Sequence, residues 1–307
     1  MKNKIAALLF SLLGFFGFTT AFAQAQLKPA LAALQPHPSL WHVKGDPKKG
    51  DTGEIYLLGS VHVLPSGVNW RTPQISAALS RSDVFVFEVP EDEVSLAQLN
   101  ALIQAKGFLP AGESLRAKLH AASLADYDAA VKASGLAPAA VERERPWLAG
   151  LQLMFAQIAK LNFSAKDGVD SVLMADAAKD HKQTRYLETI AEQFALLAPD
   201  NPVLELQEFE SGLKDLADIA SGIDPMVKAW SDGNQAALDK LINGDLDEFP
   251  QARKELLDDR NKKWIPKLEA MLKERHVFFV TVGAGHLTGP LGVPALLRKD
   301  GYKVEGP

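Results

Sequence analysis

Two histidines in this sequence each follow a glycine by three residues at the end of an apolar run. Gly59-Ser60-Val61-His62 closes "EIYLLGSVH", and Gly283-Ala284-Gly285-His286 closes "VFFVTVGAGH". Glycine lets the backbone turn sharply or approach a ligand closely, so each imidazole can point across the end of a strand. Imidazole is both a common general base and a common metal ligand. The paired motif therefore indicates either a site that binds a metal or moves protons, or two loop histidines that bond to backbone carbonyls.

Two carboxylates are expected at the same place. Glu88 ends the apolar run "DVFVFEV", and Glu188 ends "TRYLE". In an open α/β sheet, ligands bind at the carboxyl ends of the strands, where these side chains and the two histidines would meet. Two imidazoles with one or two carboxylates suit zinc, manganese, iron or cobalt. A metal with an open position would acidify a bound water for hydrolysis.

Three charged residues also have purely structural interpretations. Glu188 can cap or orient the helix that follows it. Asp170 stands immediately before a helical run, which favours an N-cap; a supporting place beneath the site is the weaker alternative. Arg260 lies on an apolar stripe between Leu256 and Trp264, each four residues away. Its guanidinium therefore either extends to solvent or faces a carboxylate or an oxyanion inside the fold.

Composition and motifs exclude several other chemistries. The 307 residues contain no cysteine, so there is neither a disulfide nor a thiol nucleophile. The formal net charge of −5, without a basic run, argues against nucleic acid as a partner. The sequence has no H-E-x-x-H zincin motif, no G-x-S-x-G elbow, no P-loop and no dinucleotide fingerprint.

The first 25 residues have the pattern of a signal peptide. Two lysines precede an apolar run at 5–18, which is short for a membrane span, and small residues offer cleavage near Ala23 or Ala25. An uncleaved membrane anchor is the alternative. We find no later transmembrane stretch in the sequence, so the mature chain, 26–307, is expected to be one soluble domain that is periplasmic or secreted.

The elements that must position the candidate residues alternate between strands and helices. Nearly continuous apolar runs predict strands at 55–61, 84–89 and 277–282, with weaker strands in "LWHVK", "TRYLETI" and "YKVE". A period near 3.6 predicts helices at 95–105, 147–161, 171–180, 236–242 and 251–274, the last kinked or split by Pro266. The expected fold class is α/β or α+β. The first and last strands would form a central mixed sheet, with a large helical insertion at about 96–275.

The sequence also resembles the TraB/GumN family, which includes the Tiki proteins. Blocks similar to those of the family occur in order: "IYLLGSVHVLPSGV", "SRSDVFVFEV", "KDGVDSVLMADAAKDHKQTRYLET", "LLDDRNKKWIPKLEAML" and "FFVTVGAGHLTGPLGVPALLRKDGYKVE". The resemblance implies a site made of His62, Glu88, Arg260 and His286. It also implies an α/β architecture shared with erythromycin-esterase-like and haem-binding ChaN-like folds. Ser60 replaces the threonine of many members, which is a tolerable exchange of hydroxyl residues.

Together these observations predict an exported metal-dependent hydrolase, and the Tiki branch implies a peptidase with manganese or cobalt favoured over zinc. His62, Glu88 and His286 would bind the metal. Glu188 would act as a general base or further ligand, and Arg260 would stabilise an oxyanion or orient Glu88. One alternative is a metal-independent esterase-like hydrolase with a histidine base. The other is a non-catalytic periplasmic binding protein for a peptide, haem or polysaccharide fragment.

Overall fold

A central mixed sheet organises the fold in the computed structural model, which describes residues 35–246 and 250–307. The strands are β1 (Leu40–Lys44), β2 (Glu54–Ser60), β3 (Leu64–Pro65), β4 (Val84–Phe87), β5 (Phe163–Ser164), β6 (Gln183–Tyr186), β7 (Val277–Gly283) and β8 (Lys303–Glu305). Six of them form one sheet in the order β6-β4-β7-β2-β1-β8, and β3 pairs with β5 separately. The expected mixed α/β class is confirmed. The predicted signal peptide, residues 1–25, lies outside the described residues.

The parallel part of the sheet places the two Gly-x-x-His segments side by side. Strands β6, β4, β7 and β2 are parallel neighbours, whereas β1 is antiparallel to β2 and β8 is antiparallel to β1. In the register of β2 with β7, Ser60 lies opposite Gly283. A Cβ added at Gly59 would lie 3.1 Å from the Cα of Ala284, so the two chains approach closely where they leave the sheet. Both histidine-bearing turns therefore begin at the same edge.

Helices cover both faces of this sheet. They are α1 (Pro73–Arg81), α2 (Glu93–Lys106), α3 (Leu115–Lys118), α4 (Leu124–Ser134), α5 (Pro146–Lys160), α6 (Val169–Lys179), α7 (Ile190–Leu197), α8 (Pro202–Ala217), α9 (Ala220–Ser231), α10 (Gln235–Leu246), α11 (Pro250–Arg253), α12 (Asp259–Leu272) and α13 (Val293–Lys299). Strand side chains alternate between two buried clusters: Tyr56 and Leu58 pack on one side, Ile55 and Leu57 on the other. Burial on both faces explains the nearly continuous apolar runs.

The long helix predicted over 251–274 is interrupted, but Pro266 is the wrong place for the break. Helix α12 continues through Pro266, and the interruption is a π-helical turn at Lys254–Asp258. Pro266 lies on the exposed face of α12. Solvent there can hydrate the carbonyl that loses its helical partner, so the helix tolerates the proline. The π turn ends two residues before Arg260.

No helix within residues 35–246 and 250–307 combines the length and the apolar character that a membrane crossing needs.

Most of the predicted helices match the structure closely: 95–105 falls in α2, and 236–242 falls in α10. The region 96–275, expected to be a helical insertion, also supplies the edge strand β6 to the main sheet. That strand brings Leu187 and Glu188 to the carboxyl end of β4.

Candidate active site

A buried arginine joins two glutamates at the carboxyl ends of the strands. Arg260, in the first turn of α12, is 3% exposed. Its Nη2 donates to Glu88 Oε2 at 2.5 Å and to Glu188 Oε2 at 2.8 Å, and its Nε donates to Glu188 Oε1 at 2.8 Å. Burial acts to lower the pKa of Arg260, but the two carboxylates outweigh it and raise the pKa. Arg260 therefore faces carboxylates inside the fold and remains charged.

Both glutamates are held by further donors. Glu88 Oε1 accepts from the backbone N–H of Gly283 at 2.7 Å. Gln193 Nε2 donates to Glu88 Oε2 at 2.8 Å and to Glu188 Oε2 at 3.1 Å. Burial raises the pKa of the Glu88 carboxyl, and the charges of Arg260 and His62 act against that rise. Glu188 does not cap the next helix, α7. Thr189 is the N-cap of that helix and forms a capping box with the third residue of the helix.

His286 has both ring nitrogens engaged inside the protein. Arg260 Nη1 lies 2.9 Å from His286 Nε2, and Asn261 Oδ1 lies 2.6 Å from Nδ1. A guanidinium can only donate, so Nε2 accepts and the ring hydrogen is on Nδ1, which donates to Asn261. The ring packs against Trp264 with 4.4 Å between centroids, and Nε2 lies 3.9 Å from Glu88 Oε1. His286 thus belongs to the arginine network.

His62 has a different partner, and only one of its nitrogens is engaged. Its Nδ1 lies 2.7 Å from Asp170 Oδ2, and the Ser60 hydroxyl donates to the same carboxylate oxygen. Its Nε2 is buried and has no hydrogen-bond partner among the described residues. Burial acts to lower the pKa of His62, but Asp170 and the more distant Glu88 outweigh it and raise the pKa.

The prediction that Asp170 is an N-cap is wrong. Gly168 occupies the cap of α6, and Asp170 is the second residue of the helix, 4% exposed. A Cβ at Gly168 would lie 2.2 Å from the backbone oxygen of His62, so this close contact fixes where the helix begins. Burial acts to raise the pKa of Asp170, but His62 and the Ser60 hydrogen bond outweigh it and lower the pKa.

A small cavity lies beside both His62 and Glu88. It is lined by His62, Glu88, Val89, Glu91, Asp170, Met174 and Gln193. The cavity volume is about 10 Å³, which is close to the minimum that one water molecule needs. Burial, and then the charge of Asp170, raise the pKa of Glu91 to about 8. Glu91 and Gln193 were not predicted from the sequence. The sequence signal for Glu91 is its position three residues after Glu88. The signal for Gln193 is its position one helical turn after Thr189.

The structure divides the predicted site residues into two groups. Glu88, Glu188, Arg260 and His286 form one hydrogen-bonded network, and His62 lies with Asp170 at the cavity. Within the described ranges, no group of three or more histidine and acidic side chains is arranged to hold a metal. The unpartnered Nε2 of His62 suits a metal, whereas Glu88 and His286 already accept hydrogen bonds from Arg260. Metal binding by His62, Glu88 and His286 stays a prediction.

Comparisons with known proteins agree with the block resemblance. The model of the TraB/PrgY/gumN family matches residues 39–306. YbaP of Escherichia coli (strain K12) is 25% identical over 284 residues, which cover 89% of this chain and 98% of YbaP. The Metalloprotease TIKI1 of Danio rerio is 25% identical over 322 residues, which cover 87% of this chain and 62% of TIKI1. No solved structure matches this chain. Because the family model spans most of its length, the chain belongs to the TraB/PrgY/gumN family.

Proposed function

We propose that this protein is a hydrolase in which His62 activates a water molecule. The observation that carries the proposal is the state of its two nitrogens. Nδ1 is fixed by Asp170, whereas Nε2 is buried and has no hydrogen-bond partner among the described residues, and His62 lines the cavity. A carboxylate on one nitrogen sets the tautomer and orientation of the ring, so the other nitrogen can accept a proton. The distant relative named as a metalloprotease supports hydrolysis as the reaction class.

In the proposed reaction, His62 takes one proton from the water molecule and later gives it to the leaving group. The water oxygen bonds to the carbonyl carbon of the substrate while its proton passes to His62 Nε2. The bond from that carbon to the leaving atom then breaks, and Nε2 returns the proton to the leaving atom. Asp170 stays ionised and stabilises the imidazolium formed in between. Arg260 does not line the cavity, so its contacts support a positioning role for the arginine network.

A metal-dependent form of the same hydrolase is the second candidate. It is favoured by the carboxylates of Glu88, Glu91 and Asp170 around His62, and by the engagement of Nδ1, which metal-binding histidines share. His62 Nε2 and the Glu91 carboxylate would hold manganese or cobalt, with Glu88 or His286 joining only by giving up bonds to Arg260. The metal, when bound, would lower the pKa of a water molecule.

We propose peptides as the substrate class. Export is a separate proposal, which rests on the pattern of the first 25 residues. Two probes cover the reaction class: fluorescein-labelled casein for amide bonds and p-nitrophenyl acetate for an activated ester. The full-length protein, expressed with its own leader and without a histidine tag, is assayed with each probe. EDTA, manganese and cobalt are varied in parallel. Loss of turnover with EDTA that is restored by either ion would select the metal-dependent form, and insensitivity would select the metal-free form.

A matched variant pair tests the role of His62. His62→Ala is expected to lose turnover. His42→Ala removes another histidine paired to a carboxylate, at 2.8 Å from Glu54 on β2, and is expected to keep it. Full turnover in His62→Ala, with either probe, would reject the proposal.

A further inference from the structure

We propose that Gln193 and Glu91 hold the hydrolytic water against His62. The inference rests on the proposed function, since it names the residues that position the nucleophile of that reaction. Neither residue belongs to the Gly-x-x-His motifs or to the arginine and glutamates that accompany them.

Three residues that line one cavity each carry a buried polar atom without a partner. His62 Nε2, Glu91 Oε1 and Gln193 Oε1 are each shielded from solvent and have no hydrogen-bond partner within the described part of the chain. All three residues line the same cavity. His62 is 4% exposed and Gln193 is 3% exposed. Leaving a buried polar atom without a partner is costly, so three around one small space indicate that the space receives a hydrogen-bonding guest.

The orientation of the Gln193 amide is fixed by its other contacts. Its Nε2 donates to Glu88 Oε2 and to Glu188 Oε2, which uses both amide hydrogens. The reverse orientation would put the amide oxygen against two carboxylate oxygens. Gln193 Oε1 is therefore an acceptor at the cavity. Helix α7, which carries Gln193, begins at the capping box of Thr189, so the side chain projects from a well-anchored turn.

The guest must supply hydrogens. Neutral His62 carries its hydrogen on Nδ1, towards Asp170, so Nε2 is a second acceptor. A water molecule has two hydrogens, fits the volume and needs two to four polar partners. One hydrogen bonds to Gln193 Oε1 and the other to His62 Nε2, which is the proton that the base removes. The Glu91 carboxyl group lines the same cavity, and its Oε1 has no partner in the described part of the chain, so it completes the set around the water.

This geometry also gives the arginine network a task in the reaction. Gln193 contacts the water and the carboxylates of Glu88 and Glu188 at once. Arg260 holds those carboxylates in place. The network thus fixes the amide, and the amide fixes the water. Gln193 and Glu91 are catalytic residues in this scheme, and Arg260 is a positioning residue.

High-resolution crystal structures test the water site without needing a substrate. We expect one water within about 3 Å of the three atoms in the wild type. Gln193→Met should lose or displace it. Gln157→Met should keep it, because Gln157 is another buried helical glutamine, which donates to the Leu216 carbonyl away from the cavity. A dry cavity in the wild type would overturn the inference. So would a manganese or cobalt ion at that point, identified by anomalous scattering.

Kinetics with the better of the two probes tests the role in the reaction. Gln193→Met should lower kcat about 100-fold with little change in KM, because the nucleophile is misplaced while substrate contacts stay. Glu91→Gln keeps a hydrogen-bonding group and should retain much more activity than Glu91→Leu. An equal loss in Gln157→Met, or no difference between the two Glu91 variants, would overturn the inference.

The outcomes separate this inference from the proposed function. Turnover that depends on His62 but not on Gln193 would leave the function standing and reject the water site. An ordered water on all three atoms without hydrolysis of either probe would keep the site and reject the function.

Discussion

His62 and His286 share a motif and follow neighbouring parallel strands, yet the protein gives them opposite surroundings. His62 bonds to a carboxylate through Nδ1, and its Nε2 has no hydrogen-bond partner in the ranges that the structure describes. His286 bonds to the Asn261 amide and accepts from the Arg260 guanidinium. Anionic neighbours favour a base that can take up a proton, whereas an adjacent guanidinium opposes a second positive charge. On the proposed function, the partner of each ring, rather than the motif, decides which histidine acts as the base.

Replacing each histidine by alanine should separate the two roles most strongly. His62→Ala should lower the kcat of the folded protein by roughly 100-fold to 10,000-fold, the range for loss of a general base, and should also cost some stability because Asp170 loses a buried partner. His286→Ala should instead cost about 2–4 kcal/mol of unfolding free energy, because it opens a cavity and strips Arg260 and Asn261 of a buried partner. Probe hydrolysis and urea unfolding measure the two effects. Similar profiles for both variants would break the comparison.

Removing the arginine should destabilise the His286 side of the site. Arg260→Leu leaves Glu88 and Glu188 without the buried cation between them, and we expect a loss of about 3–5 kcal/mol in urea unfolding. The matched control is Arg185→Leu, which breaks a half-exposed pair with Glu274 and should cost about 1 kcal/mol or less. Equal losses would show that the network does not depend on Arg260.

Activity should depend on pH through His62. Asp170 in α6, with Glu88 and Glu91 in the segment after β4, raises the pKa of His62, so the imidazolium persists above its usual range near pH 6.5. The acid limb of kcat/KM should therefore lie above that range, and Asp170→Asn should move it down. Because folding raises the pKa of His62, its protonated form stabilises the folded state. This contribution to the free energy of unfolding is complete below about pH 6.5 and is lost as the pH rises through the raised pKa. Ring titration by NMR measures the shift directly, and an unchanged limb in Asp170→Asn would contradict it.

The smallest expected effect concerns the hydroxyl beneath His62. Ser60→Ala removes one donor to Asp170 and should cost about 0.5–1.5 kcal/mol, with a modest fall in turnover. Ser60→Thr keeps the donor and should stay near the wild type in both measurements. Thermal unfolding with the probe assay compares the two variants. A larger loss in Ser60→Thr than in Ser60→Ala would show that space, not the hydrogen bond, matters at this position.

The sequence predicted which residues lie at the same edge of the sheet. It did not predict which of them form hydrogen bonds with one another. Strand patterns placed His62, Glu88, Glu188 and His286 at one edge, because apolar periodicity and strand ends are local properties. The partner of Asp170 was not predictable in this way. Ser60 and Asp170 are 110 positions apart, and the contact arises because Gly168 packs on the His62 backbone. The same limit hid Gln193, whose role depends on two glutamates from different strands.

The pairing of β2 with β7 has a consequence for timing. Ser60 lies opposite Gly283, so the sheet edge that carries the site joins two segments separated by more than two hundred positions of chain. Closing such a contact costs entropy, because the two paired segments are far apart along the chain. A growing polypeptide on the ribosome carries His62 and Glu88 long before Arg260 and His286 exist. On the proposed function, the arginine network that positions the site would therefore be complete only after the last strands have joined the first.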